Sequence, residues 1–146
     1  MPVRTAEARW QRSLQDGSGT MKVGSGAFEG RYSFASRMEN GTGTNPEELI
    51  GAAEAGCFSM AFANALSEAG HKPQEIRTSA KVHFDKIDKG WTITQIELST
   101  EGSVPGIDEA TFKTIAEDAK KTCPVSRALG ATQIKLAATL KTGVTA

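Results

Sequence analysis

The stretch from Pro46 to Ala69, PEELIGAAEAGCFSMAFANALSEA, is rich in alanine and apolar nearly all round, and it constrains the fold more than any other segment. A helix with so little polar surface has to be covered by other elements, so it is expected inside the protein. Its start is set by local chemistry. Asn45 suits the N-cap, Pro46 sits at N1 where no amide hydrogen bond is lost, and Glu48 at N3 completes a capping-box pattern. Glu47 and Glu48 also complement the positive end of the helix, and Gly70 is the expected stop.

Sheet is predicted on both sides of this helix. Three short extended segments, around TAEARWQRSL, TMKVG and GRYSFA, are separated by GSGT and GSGAFEG, whose glycines suit tight hairpin turns, so an antiparallel meander is expected. RMENGTGTN at 37–45 reads as a polar connector. Beyond the helix, Ile76, Thr78, Ala80, Val82 and Phe84 alternate with Arg77, Ser79, Lys81, His83 and Asp85, the period of a half-buried strand. A turn at 88–90 leads into WTITQIELSTEG, where Trp91 and Ile93 share one phase and Ile96 and Leu98 the other; a bulge near Thr94 or Gln95 explains the switch. A second helix is predicted from Glu109 to Thr122, capped by Asp108, with Phe112, Ile115, Ala116, Ala119 and Cys123 on one face. Pro124 then opens a short helix closed by Gly130, with Cys123 at or beside its N-cap, and QIKLAATL forms a last strand with Ile134, Leu136, Ala138 and Leu140 inward. The pattern is α+β, with no internal repeat.

At 146 residues the chain has the length of a single domain, 1–146, and 38% hydrophobic with 23% charged residues is a globular composition. Seventeen basic against seventeen acidic residues argue against nucleic acid as a partner recognised by bulk charge. Arg4, Glu7, Arg9 and Arg12 stand where a signal peptide needs an apolar run, and no stretch is read as long and apolar enough for a membrane span, so a cytoplasmic protein is expected. Cys57 and Cys123 are too few for a disulfide scaffold; in a reducing compartment such a pair is more often catalytic or redox-sensing. Taken alone, each also reads as a small core hydrophobe. His71 and His83 form no zinc spacing with the cysteines, and neither is placed to serve a cysteine protease. With no phosphate-binding glycine loop and no dinucleotide fingerprint, neither metal nor cofactor is expected.

Three segments carry a resemblance. GTNPEELIGAAEAGCFSMA at 43–61, VPGID at 104–108 and CPVSRAL at 123–129 resemble the OsmC/Ohr family of thiol-dependent peroxidases, in its OsmC branch, and the similarity runs from about Arg9 to Leu140. It implies an α+β fold with antiparallel sheets wrapped around long central helices in an intertwined homodimer. It also implies reduction of organic hydroperoxides in oxidative or osmotic stress defence, with a dithiol or lipoylated protein as reductant. Cys57 matches the peroxidatic cysteine and Cys123 the resolving one. Glu47 matches the carboxylate that orients an arginine, and Arg37 matches that arginine, with Arg12 as the fallback because the Ohr branch draws it from the first hairpin. A non-catalytic dimeric binding or scaffold protein with inert thiols is the competing reading.

The chemistry explains why an arginine is needed. A thiol of pKa ~8.5 is only about 3% thiolate at neutral pH. Lowering the pKa by about three units gains roughly thirtyfold in thiolate but returns roughly 16- to 30-fold in lost nucleophilicity. The arginine is therefore expected to act on the transition state, donating to the peroxide oxygens. Glu54, one helical turn before Cys57, would oppose thiolate formation, so it is expected to face solvent or a basic partner. Phe58, Met60 and Phe62 are expected mostly in the core, some of them lining an entrance for alkyl peroxides. Glu47 and Cys57 lie about 15 Å apart in rise on a straight helix, so either the helix breaks near Gly51 or part of the site comes from a second subunit. The all-round apolarity of the helix favours the second route, and each site is expected to use Arg37 or Glu47 of the opposite chain.

Overall fold

The computed structural model describes residues 1–141, which resolve into two compact units, Met1–Leu49 and the chain from Ile50 onward. The first holds the predicted meander: β1 (Ala6–Gln11), β2 (Ser18–Val23) and β3 (Glu29–Tyr32), antiparallel in that order. Gly19 pairs with Trp10 on one side and Tyr32 on the other, and a Cβ there would sit 2.6 Å from the Tyr32 ring and 2.8 Å from the Trp10 ring. The bare glycine lets the two rings close over it, with centroids 5.2 Å apart.

The third extended segment ends earlier than predicted. Phe34–Met38 forms a short helix, α1, because Ser33 and Ser36 make a reciprocal capping box: Ser33 Oγ accepts from Ser36 N at 3.1 Å, and Ser36 Oγ accepts from Ser33 N at 2.8 Å. Arg37 therefore lies on the last turn of a helix and not in an open connector. The loop that follows is held down by Ser36 Oγ donating to the Thr44 carbonyl at 2.8 Å and by Thr44 N donating to the Arg31 carbonyl at 2.8 Å.

Helix α2 spans Pro46–Glu68 without interruption, so the route through a break at Gly51 is closed. Asn45 Oδ1 accepts from Glu48 N at 2.8 Å, as predicted for the cap, while the Glu48 carboxylate accepts from Thr44 Oγ1 at 2.6 Å. Gly70, at φ +89°, ends it with the His71 amide donating back to the Leu66 carbonyl. By length and composition alone α2 is long and apolar enough to cross a membrane, which corrects the expectation that no such stretch exists. It instead contributes core: Phe58, Phe62 and Leu66 are fully buried. The expectation of burial is met on one side only. Ala52, Ala53, Gly56, Met60 and Asn64 are exposed, because a single sheet covers a single face.

In the second unit β4 (Glu75–Ile87) and β5 (Gly90–Ser103) form a long antiparallel hairpin, and the predicted bulge is there: His83 faces Gln95 while Phe84 faces Ile93, leaving Thr94 unpaired in the register. Helix α3 (Glu109–Thr122) and the short α4 (Pro124–Ala128) then carry the chain to β6 (Gln133–Leu140). β6 pairs with β5 in parallel, which corrects the expectation of wholly antiparallel sheets; a helical crossover returns the chain to the same end of the sheet. Phe58, Phe62 and Phe112 pack in series with tilted rings, 5.5 and 5.0 Å between centroids. Ser59 Oγ donates to Thr78 Oγ1 at 2.8 Å, tying α2 to β4. A Cβ on Gly51 would come within 3.2 Å of Val82, so this glycine permits the close approach of helix to strand.

Gly102 carries a similar constraint. A Cβ at this position would meet the Phe112 ring at 2.6 Å, with both partners in the core. Gly102→Ala should lose about 1–3 kcal/mol in denaturant unfolding through overpacking. Parental stability would mean that Phe112 does not press on β5.

Candidate active site

The four residues singled out by sequence come together as two pairs, each inside its own unit. In the first, the capping box on α1 and the Asn45 cap of α2 hold Arg37 and Glu47 face to face. Arg37 Nη2 donates to Glu47 Oε1 at 2.6 Å, and Nε reaches both carboxylate oxygens at 3.1 and 3.2 Å. The Glu47 side chain is 8% exposed and that of Arg37 37%, so the carboxylate is the buried anchor and the guanidinium lies nearer the surface. Arg12, the fallback, follows β1 in an exposed position with φ +73°, a left-handed conformation uncommon for a residue with a side chain.

In the second unit Cys57 and Cys123 meet although 66 residues separate them: Cys123 Sγ donates to Cys57 Sγ at 2.9 Å. Both are free thiols, Cys123 fully buried and Cys57 partly so. Cys123 closes α3 with its amide on the Ala119 carbonyl at 2.9 Å and is also the N-cap of α4. Pro124 keeps the preceding residue out of the helical region, so the chain has to turn at the cysteine and present its side chain there.

Burial raises the Cys57 pKa above the ordinary thiol range; the neighbouring Cys123 and the charge of Glu54 push the same way, and the Val125 amide, which donates to the sulfur, opposes them. Within its own unit Cys57 is thus held toward the neutral thiol.

Glu54 contradicts the sequence expectation. It faces neither solvent nor a cation at the surface but is fully buried, with Oε1 accepting a short hydrogen bond from Ser126 Oγ and Oε2 lacking any hydrogen-bond partner among the described residues. Position on the helix outweighs charge here. Gly51, Glu54, Phe58, Phe62 and Leu66 follow one another at three or four residues, the buried stripe of α2. That spacing was the available signal for Glu54. Ser126, within CPVSRAL, carries no such signal, because its partner is 72 positions away. Phe58 and Phe62 are fully buried as expected, whereas Met60, on the opposite face, is 78% exposed.

Comparison with known proteins gives a consistent picture. The family described as OsmC-like protein matches residues 39–138. The protein named Peroxiredoxin OsmC from Escherichia coli K12 is 48% identical over 129 residues, covering 88% of this chain and 90% of that protein. An Organic hydroperoxide resistance protein from Xanthomonas axonopodis pv. citri is 37% identical over 89 residues, 60% of this chain and 61% of the other. Among solved structures, an organic hydroperoxide resistance protein from Elizabethkingia anophelis superposes with a TM-score of 0.72 at 23% identity, covering 96% of this chain and 99% of that one. An OsmC-like protein of unknown function from Vibrio cholerae does so with a TM-score of 0.75 at 15% identity, covering 94% and 99%. At those identities the two structures establish the shared α+β fold.

Proposed function

The chain belongs to the OsmC-like family, and from that premise we propose that it reduces organic hydroperoxides to alcohols with two cysteines, Cys57 attacking and Cys123 resolving. The observation that carries this reading is the 2.9 Å approach of two free sulfurs that stand 66 positions apart in the second unit.

The Cys57 thiolate attacks the distal oxygen of ROOH; the O–O bond breaks, the alkoxide takes up a proton and leaves as alcohol, and Cys57 becomes a sulfenic acid. Cys123 then condenses with it, releasing water and forming the disulfide, which a dithiol or lipoylated protein reduces. Because burial, Cys123 and Glu54 all favour the neutral thiol at Cys57, a cation has to favour the thiolate and the departing oxygen. Arg37, clamped by Glu47, is that cation; its fork suits two peroxide oxygens better than a point charge does.

The working unit is a homodimer in which Arg37 and Glu47 of one chain serve Cys57 of the other. Its support is the unbroken α2 and the exposed small apolar residues Ala52, Ala53 and Gly56, which would admit a second helix closely.

Thiol counting tests the two-cysteine step against a scaffold with inert thiols. One equivalent of an alkyl hydroperoxide should consume both thiols of the wild-type protein and yield one intramolecular disulfide. Two thiols surviving that treatment would leave the scaffold reading.

A further inference from the structure

Glu54 and Ser126 exchange no bond or proton in the chemistry above, yet they form a buried polar contact beside it. Glu54 lies one helical turn before Cys57 on α2, and Ser126 lies one turn after Cys123 on α4. The two helices are therefore joined by two successive rungs: sulfur to sulfur at 2.9 Å, and Ser126 Oγ donating to Glu54 Oε1. α4 is only five residues long and has no side-chain cap at its N-terminus, so little within it fixes its register. Resting on the peroxidase reading, we propose that Glu54 and Ser126 are positioning residues for the resolving step, holding Cys123 within reach of Cys57.

The step they would serve is Cys57–SOH + Cys123–SH giving the disulfide and water. The S–S bond forms, the S–O bond breaks, and the thiol proton leaves with the hydroxyl, so no outside reductant enters. A sulfenic acid that waits for its partner is open to a second peroxide and oxidation to the sulfinic acid. Positioning at this point thus decides between recovery and inactivation. A hydrophobic residue at position 54 would fill the same space without leaving Oε2 unsatisfied. The carboxylate supplies what an apolar side chain lacks, an acceptor for Ser126.

Two substitutions separate the rung from the charge. Ser126→Ala removes the rung and keeps the carboxylate; Glu54→Gln removes the charge and keeps an acceptor. Among the described residues of its own chain, the titratable groups acting on Cys57 are Glu54 on α2 and Cys123 at the head of α4, with the Val125 amide opposing them; Arg37 of the opposite chain is unchanged in both variants. Loss of the negative charge stabilises the thiolate, so the pH limb for sulfenic acid formation should move to lower pH in Glu54→Gln and stay in place in Ser126→Ala.

In rapid mixing with an alkyl hydroperoxide, Ser126→Ala should close the disulfide at least about tenfold more slowly and accumulate sulfinic acid, while Glu54→Gln should close it within about threefold of the wild-type rate. Titration of the disulfide against a dithiol buffer gives a readout that needs no peroxide: Ser126→Ala should be about tenfold easier to reduce. If peroxide leaves the wild-type thiols untouched, the peroxidase reading falls, and the dithiol titration still decides whether the rung exists. Disulfide formation and reduction in folded Ser126→Ala indistinguishable from wild type would overturn the proposal.

Discussion

Cys123→Ser should trap a sulfenic acid on Cys57, react once with peroxide and then stop, whereas Cys57→Ser should leave Cys123 reduced under the same stoichiometric peroxide. The asymmetry follows from the chemistry of the two roles. An attacking thiolate needs only the peroxide, while a resolving thiol needs a sulfur already oxidised. It also follows from access, since Cys123 is fully buried and Cys57 is not. The trapped species is read by dimedone labelling and intact mass, and turnover by peroxide consumption with an excess of dithiol. Steady-state turnover should fall by several orders of magnitude in Cys57→Ser, to about the uncatalysed rate. Oxidation of Cys123 ahead of any other group in Cys57→Ser would reverse the two assignments.

Arg37→Ala should slow sulfenic acid formation by about 10²- to 10³-fold, the usual effect of removing a donor aimed at developing negative charge. Arg37→Lys should recover little of this, because an ammonium cannot make the two-nitrogen contact through which Glu47 orients the guanidinium. Glu47→Gln keeps the acceptor geometry but not the charge, and its effect should be smaller than that of Arg37→Ala. Assembly can be tested with the same variants. If Arg37 and Cys57 of one site come from opposite chains, inactive Cys57→Ser and inactive Arg37→Ala proteins should regain activity when mixed and allowed to exchange subunits. A fully active monomer at micromolar concentration by sedimentation would refute the shared site.

Much of the fold was legible because the signals are local. The bounds of α3 match those predicted, with Asp108 accepting from the Thr111 amide, since a cap and a run of apolar residues three and four apart are read within a few turns. The bulge at Thr94 was legible because period-2 alternation reverses phase only where a residue drops out of the ladder. α1 was not, because a five-residue helix carries too little periodicity and only the Ser33–Ser36 box announces it. In the site, Arg37 and Glu47 lie ten positions apart and were joined by their family motif; no local rule pairs them.

The sequence by itself determined the long apolar helix, the order of strands and helices around it apart from α1, and the family to which the chain belongs, each from chemistry confined to a few turns or one motif. Only the tertiary structure decided that β6 lies parallel to β5, that Cys57 and Cys123 touch, and that Glu54 is buried against Ser126. Those three outcomes depend on where a crossover returns the chain, and residues dozens of positions apart carry no local mark of meeting. Charge alone misplaced Glu54. A carboxylate prefers water, but on the core stripe of α2 the packing of Phe58, Phe62 and Leu66 sets the orientation of the helix, and Glu54 is carried inward with it.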